Sequence, residues 1–207
     1  MTQGYVFKSF DDKAALQQAA ADWIAARLED AIKRRGSAVF MGSGGRTPAP
    51  VYETLSEANL DWTKVQVGLC DERWVEIDHP DSNGAMLERT LLQNRAAAAD
   101  YLPMKLKGDD PFAAIDAIND RYLDASLTDV MLLGMGPDAH TLSWFSGARG
   151  YAAATDPDTT SVVTAIEANE RLHKTEESKR TLKYLNLILT DSLALSDIKR
   201  EEVFSDE

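Results

Sequence analysis

Apolar positions recur at helical spacing between residues 9 and 35, where Leu16, Ala20, Trp23, Ile24, Leu28, Ala31 and Ile32 fall on one face. Ser9 and Asp12 have the spacing of a capping box ahead of this segment, and Gly36 stands where a helix stop belongs. The pattern therefore predicts an amphipathic helix lying against other structure. Beyond it the chain alternates. A short apolar run over 37–41 enters a glycine-rich turn over 42–45, and Thr47-Pro48 opens a helix through about Ser56. The same grammar returns as a β-rich run over 65–70, a polar loop over 71–83 and a helix from about Ala85 to Ala98. A third round has Asp110-Pro111 starting a helix through Asp124, then a strand over 128–133 that runs into Gly134-Met135-Gly136. Strands alternating with helices specify the α/β class: a doubly wound, mostly parallel sheet with helices on both faces. In such a sheet the carboxyl ends of the strands share one edge, and ligands bind there.

With 207 residues, one domain spanning 1–207 is expected. Lys and Arg number 22 against 34 Asp and Glu, a net charge of −12, which repels polyanions and argues against nucleic acid as a partner while leaving room for one small anion. A single cysteine, Cys70, excludes an internal disulfide, and three histidines beside one thiol argue against a zinc site. No apolar run has the roughly 18 residues of a membrane span, and the first residues lack a basic start and an apolar core. A cytoplasmic protein with no membrane partner is the expectation.

Three loops carry candidate chemistry. In Gly42-Ser43-Gly44-Gly45-Arg46-Thr47-Pro48, glycines let backbone N–H groups converge, the next helix adds its positive dipole end, and Ser43 and Thr47 add hydroxyls, which together suit a phosphate. The loop lacks a Walker lysine and dinucleotide spacing, so neither ATP nor NAD is indicated. A tight turn without a ligand is the alternative. In Cys70-Asp71-Glu72-Arg73-Trp74, Arg73 can pair with a phosphate or carboxylate, and Asp71 and Glu72 can orient it or bind sugar hydroxyls; a solvated charge run is the alternative. His79-Pro80-Asp81 reads as a turn, with Ser82 or Asn83 capping the helix after it. The third loop, residues 134–141, brings His140, whose ordinary pKa of about 6.5 suits proton exchange near neutral pH. Each loop follows its own parallel strand, so cradle, arginine and histidine meet at one rim. No Gly-x-Ser-x-Gly elbow is present, and the constellation predicts general acid–base chemistry on a small phosphorylated substrate, with no metal, cofactor or covalent intermediate. His79 and His173 read as surface or turn residues, and Cys70 as a buried apolar one.

The motifs Ser43-Gly44-Gly45-Arg46-Thr47-Pro48, Asp71-Glu72-Arg73-Trp74-Val75, His79-Pro80-Asp81-Ser82-Asn83 and Gly134-Met135-Gly136-Pro137-Asp138-Ala139-His140-Thr141 resemble, in order and spacing, the 6-phosphogluconolactonase family. The resemblance spans about residues 7–150. It implies the phosphosugar-isomerase-like, Rossmann-like fold shared with glucosamine-6-phosphate deaminases, and hydrolysis of 6-phospho-D-glucono-1,5-lactone to 6-phosphogluconate in the oxidative pentose phosphate pathway, with no metal. It also implies that Ser43, Gly44, Gly45, Arg46 and Thr47 hold the phosphate, that Arg73 contacts substrate and that His140 activates water. Asp138 is then expected to orient the imidazole, Asp71 to contribute to binding, and Arg180, in a stretch resembling the family's Arg-(Ile/Val)-Thr-Leu segment, to be a second phosphate ligand. A phosphorylated sugar lactone is the expected partner, and the protein a monomer or weak homodimer.

This chain departs from the family pattern in Ala139, in Leu142-Ser143-Trp144, and in a carboxyl-terminal part, about 165–207, that reads as atypical; the charged stretch 169–180 reads as a solvated loop. Two alternatives stand beside the lactonase. A deaminase-like isomerase usually carries Asp-Glu-Tyr where this chain has Asp71-Glu72-Arg73, and a non-catalytic phosphosugar-binding module would have no need of His140.

Overall fold

The computed structural model describes residues 6–123, 125, 127–135, 140–169, 181–187 and 202–205. Strand β1 (Val6–Ser9) precedes helix α1 (Lys13–Arg35), which buries Leu16, Ala20, Ala21, Ile24, Leu28 and Ala31. The cap of α1 is Asp12 alone: its Oδ1 accepts the Ala15 N–H at 2.8 Å, so the helix begins three residues later than a Ser9 cap would set it. Gly36 ends it at φ 84°, in the left-handed conformation that glycine adopts without penalty.

Next come β2 (Ala38–Gly42), α2 (Ala49–Ser56), β3 (Val65–Leu69), β4 (Asp71–Arg73), α3 (Asn83–Thr90), β5 (Asp100–Tyr101), α4 (Pro111–Leu123), β6 (Val130–Met131), α5 (Tyr151–Ala154), β7 (Val163–Asn169), β8 (Thr181–Leu187) and β9 (Glu202–Ser205). Strands β5, β3, β2 and β6 form, in that spatial order, a wholly parallel sheet. The chain runs outward from β2 through β3 to β5 and then returns to place β6 on the other side of β2. That reversal is the doubly wound topology, and it puts the switch point between β2 and β6.

Several expectations change. The helix expected over 85–98 is α3 followed by a separate 3-10 turn over Asn94–Ala98, because Asn94 takes φ 49° and its side chain donates to Ser56 Oγ at 2.9 Å. The strand expected over 128–133 shortens to β6 (Val130–Met131), bounded by the Asp129 and Leu132 N–H groups, which donate to Val39 O (3.0 Å) and Met41 O (2.9 Å) of β2; Asp129 also turns its carboxylate to the Arg35 guanidinium (2.6 Å) and the Val39 N–H (2.9 Å). The polar loop after Cys70 begins as a strand, since β4 pairs antiparallel with β8, which pairs antiparallel with β7. This three-stranded sheet and the parallel pair β1–β9 bring the carboxyl-terminal strands against the rest. The stretch 170–180 lies outside the described residues. No described helix is long and apolar enough to cross a membrane.

Candidate active site

The three loops leave three adjacent strands. The Cys70 N–H donates to Gly42 O (2.8 Å) and the Leu132 N–H to Met41 O (2.9 Å), so β3, β2 and β6 end level. Cys70 itself is fully buried among them, its thiol directed at Met41 O (3.4 Å), and burial pushes that thiol well above its ordinary pKa. It serves as a small core residue, as its place at the end of a β-run predicts.

The loop after β2 is held by a residue that sequence reasoning passed over. Tyr52, on α2, accepts the Ser43 N–H (2.9 Å) and donates to Ser43 O (2.8 Å), so one buried phenol satisfies both backbone groups where the loop starts. In sequence Tyr52 is only an apolar position of a helix. Ser43 is buried and its Oγ has no hydrogen-bond partner among the described residues, while Gly45 has φ 116° and Arg46 and Thr47 are exposed at the tip. Helix α2 starts at Ala49 with Pro48 in the cap position, and no side chain among the described residues caps it. An unpartnered hydroxyl beside an uncapped helix start is the arrangement an anion completes.

At the end of β3, Glu72 is not available to a ligand. Its carboxylate is buried and accepts the N–H groups of Arg73, Asn83 and Gly84, each at 2.8 Å, and the Ser82 hydroxyl at 3.2 Å. It thereby ties β4 to the start of α3, where a negative group is favoured. Burial raises the Glu72 pKa, and these donors oppose the rise. Ser82 is the cap of α3, its Oγ accepting the Ala85 N–H at 3.0 Å. Arg73 is half-buried; Nη1 donates to Asp81 O at 2.9 Å and to Asn83 Oδ1, and its other guanidinium donors have no bond among the described residues.

Asp71 is buried, with Oδ2 accepting the Ser143 hydroxyl at 2.6 Å and Oδ1 a long bond from Asn83 Nδ2 at 3.4 Å. Burial raises its pKa; the Ser143 bond and then the neighbouring Arg73 and His140 act the other way. The bond to Ser143 docks the third loop on the second. That loop doubles back through a bridge between Met135 and Thr141, with Thr141 Oγ1 donating to Gly134 O at 2.9 Å; His140 stands immediately before Thr141, its ring 5.0 Å from that of Phe145. Leu142 takes φ 54°, a region that costs a branched side chain energy, and the turn there brings Ser143 to Asp71.

Ser43, Gly44, Gly45, Arg46, Thr47, Asp71, Arg73 and His140 thus lie on the three neighbouring loops, whereas Asp138 and Arg180 lie outside the described residues, as does Ala139. His79 is exposed, bonded within its own turn to the Asp81 N–H at 3.1 Å.

Residues 11–187 match the family model described as glucosamine-6-phosphate isomerases/6-phosphogluconolactonase. A 6-phosphogluconolactonase of Rhizobium meliloti is 37% identical over 204 residues, covering 96% of this chain and 88% of that protein. The 6-phosphogluconolactonase of Shewanella baltica has a similar structure, with TM-score 0.79, 34% identity, and coverage of 91% of this chain and 76% of that one. A monomeric glucosamine-6-phosphate deaminase, at TM-score 0.64 and 21% identity over 88% of this chain and 75% of its own, shares the fold. The chain belongs to the glucosamine-6-phosphate isomerase/6-phosphogluconolactonase family.

Proposed function

We propose that this protein hydrolyses 6-phospho-D-glucono-1,5-lactone to 6-phosphogluconate, in the cytoplasm and as a single phosphosugar-binding domain, monomeric or weakly dimeric. The observation that carries the reading is the meeting of an anion-ready loop, a half-buried arginine and a histidine on three adjacent strand ends at the switch point of the sheet. The names of the relatives at 37% and 34% identity support the same substrate.

In this reading residues 43–47 hold the phosphate, with Arg180 as its second ligand, and Asp71 supports the binding face from beneath. His140, oriented by Asp138, takes a proton from water as the oxygen attacks C1. Arg73 and nearby N–H groups stabilise the charge that develops on the carbonyl oxygen. The tetrahedral intermediate then collapses: the bond from C1 to the ring oxygen breaks, and His140 returns its proton to that oxygen. Nothing in these steps calls for a metal.

The test generates the lactone in place with glucose-6-phosphate dehydrogenase and follows its loss with wild type, with His140→Ala and with no protein, the last because the lactone also opens unaided. Wild type accelerates the loss, and His140→Ala is slower by on the order of 100-fold or more. A wild-type rate equal to the blank, with the protein folded, rejects the lactonase; a variant at full rate removes His140 from the mechanism.

A further inference from the structure

We propose that Asn83 is a positioning residue for Arg73, and that residue 44 is glycine because Asn83 fills the space a side chain there would need. The proposal rests on the reaction above and gives a role to a residue that reading leaves unused.

Asn83 opens α3 and is 1% exposed. Its Oδ1 accepts from Arg73 Nη1, and its Nδ2 donates to Asp71 O at 2.8 Å. The partners fix which way the amide points, since a guanidinium only donates and a backbone carbonyl only accepts. An aspartate in its place would set a carboxylate against Asp71, and an apolar residue would serve neither side. The backbone cannot give way either, because the N–H groups of Asn83 and Gly84 are both held by the Glu72 carboxylate at 2.8 Å.

Against this fixed side chain lies the phosphate loop. A Cβ on Gly44 would stand 1.8 Å from Asn83 Oδ1 and 2.3 Å from its Cγ. Gly44 does not have a positive φ, so what the position demands is space and not conformational freedom, unlike Gly45 at φ 116°. One side chain therefore sets the separation of the guanidinium from the glycine loop. Through Asp71 and its 2.6 Å bond from Ser143, the same network continues into the loop of His140. Asn83 is the strut on which the three loops are gauged against one another.

The test compares wild type with Asn83→Ala, Arg73→Ala and the double variant, each checked for folding by its melting temperature; alanine suits a first helical position. Asn83→Ala lowers kcat by about 10- to 100-fold, the scale of a group misplaced by up to an ångström, while KM stays within about threefold. Added to Arg73→Ala it costs no more than about twofold further, because its effect passes through the arginine. A second cycle pairs Gly44→Ala with Asn83→Ala: Gly44→Ala alone loses at least as much as Asn83→Ala, and the pair loses no more than either. A purely structural Asn83 would lower the melting temperature and multiply fully with Arg73→Ala, which overturns the proposal, as does a Gly44→Ala variant of wild-type activity. Should wild type not hydrolyse the lactone, the same cycles are read as Kd for 6-phosphogluconate by calorimetry. Non-additive losses there sink the reaction and keep the role of Asn83; additive losses, or no binding, sink the role as well.

Discussion

Tyr52→Phe removes a single oxygen and isolates what holds the phosphate loop. The ring stays, edge-on to Phe40 with centroids 6.0 Å apart, so core packing is unchanged. What is lost is the pair of bonds to the N–H and C=O of Ser43, both in a buried residue. Each unsatisfied buried polar group costs about 1–3 kcal/mol, and relaxation of an adjoining loop recovers part of the sum, which leaves a net loss of about 2–4 kcal/mol. With a urea m value of about 2 kcal/mol/M, the unfolding midpoint falls by about 1–2 M. The loop whose entry is released is the proposed phosphate cradle, and the phosphate is gripped equally before and during the reaction. KM for the lactone therefore rises while kcat stays within about twofold. Tyr122→Phe is the control. Its hydroxyl, equally buried, donates to Leu102 O (3.0 Å) and accepts the Leu69 N–H (3.4 Å), away from the cradle, so it lowers stability by about 1–3 kcal/mol and leaves KM alone. A Tyr52→Phe midpoint within about 0.2 M of wild type, with KM unchanged, would refute the reasoning.

Gly150→Ala is expected to abolish or severely reduce soluble expression, since Gly150 has φ 91° and a Cβ would lie 2.1 Å from Ala165 O, a backbone atom that cannot step aside. Asp129→Ala leaves the Val39 N–H and the Arg35 guanidinium without their acceptor; a loss of about 2 kcal/mol corresponds to a melting temperature lower by about 4–8 °C for a chain of this size, read by calorimetry. Burial raises the pKa of Asp71, so the folded state holds this proton to higher pH than the unfolded state does. The contribution of Asp71 to stability is then fully present below its ordinary value of 3.8 and is lost as pH rises through the folded value. Asp71→Asn removes that decline, and urea titrations across this range should show a flatter dependence on pH than wild type; equal slopes would show that Asp71 does not titrate this way.

Much of the site was legible because its signals are local. A strand, a glycine turn and a helix start are written in consecutive residues, as at 38–49, and so the loop rich in glycine could be placed at a strand end before any contact was known. The same holds for Gly36, whose φ of 84° follows from what a helix end asks of its last residue. Boundaries failed where a distant partner intervened: the helix expected over 85–98 gives way at Asn94, whose side chain reaches Ser56, and the strand expected over 128–133 begins only after Asp129, whose carboxylate holds Arg35 and the Val39 N–H.

Sequence by itself determined the alternation of strands and helices, the class of sheet and the three loops that carry polar chemistry, because hydrophobic period, glycine and proline act over a few neighbouring residues. Tertiary structure decided which strands are neighbours, with β2 between β3 and β6, and so which loops meet. It also decided the roles of the polar residues around them. Glu72 became a helix anchor, Tyr52 the clamp of a loop, Asn83 the neighbour of a bare Gly44 Cα, and Asp71 the acceptor of a hydroxyl 72 residues away. A buried polar atom takes whatever partner the packing brings within hydrogen-bond distance, and chain separation leaves no trace of that choice in local pattern.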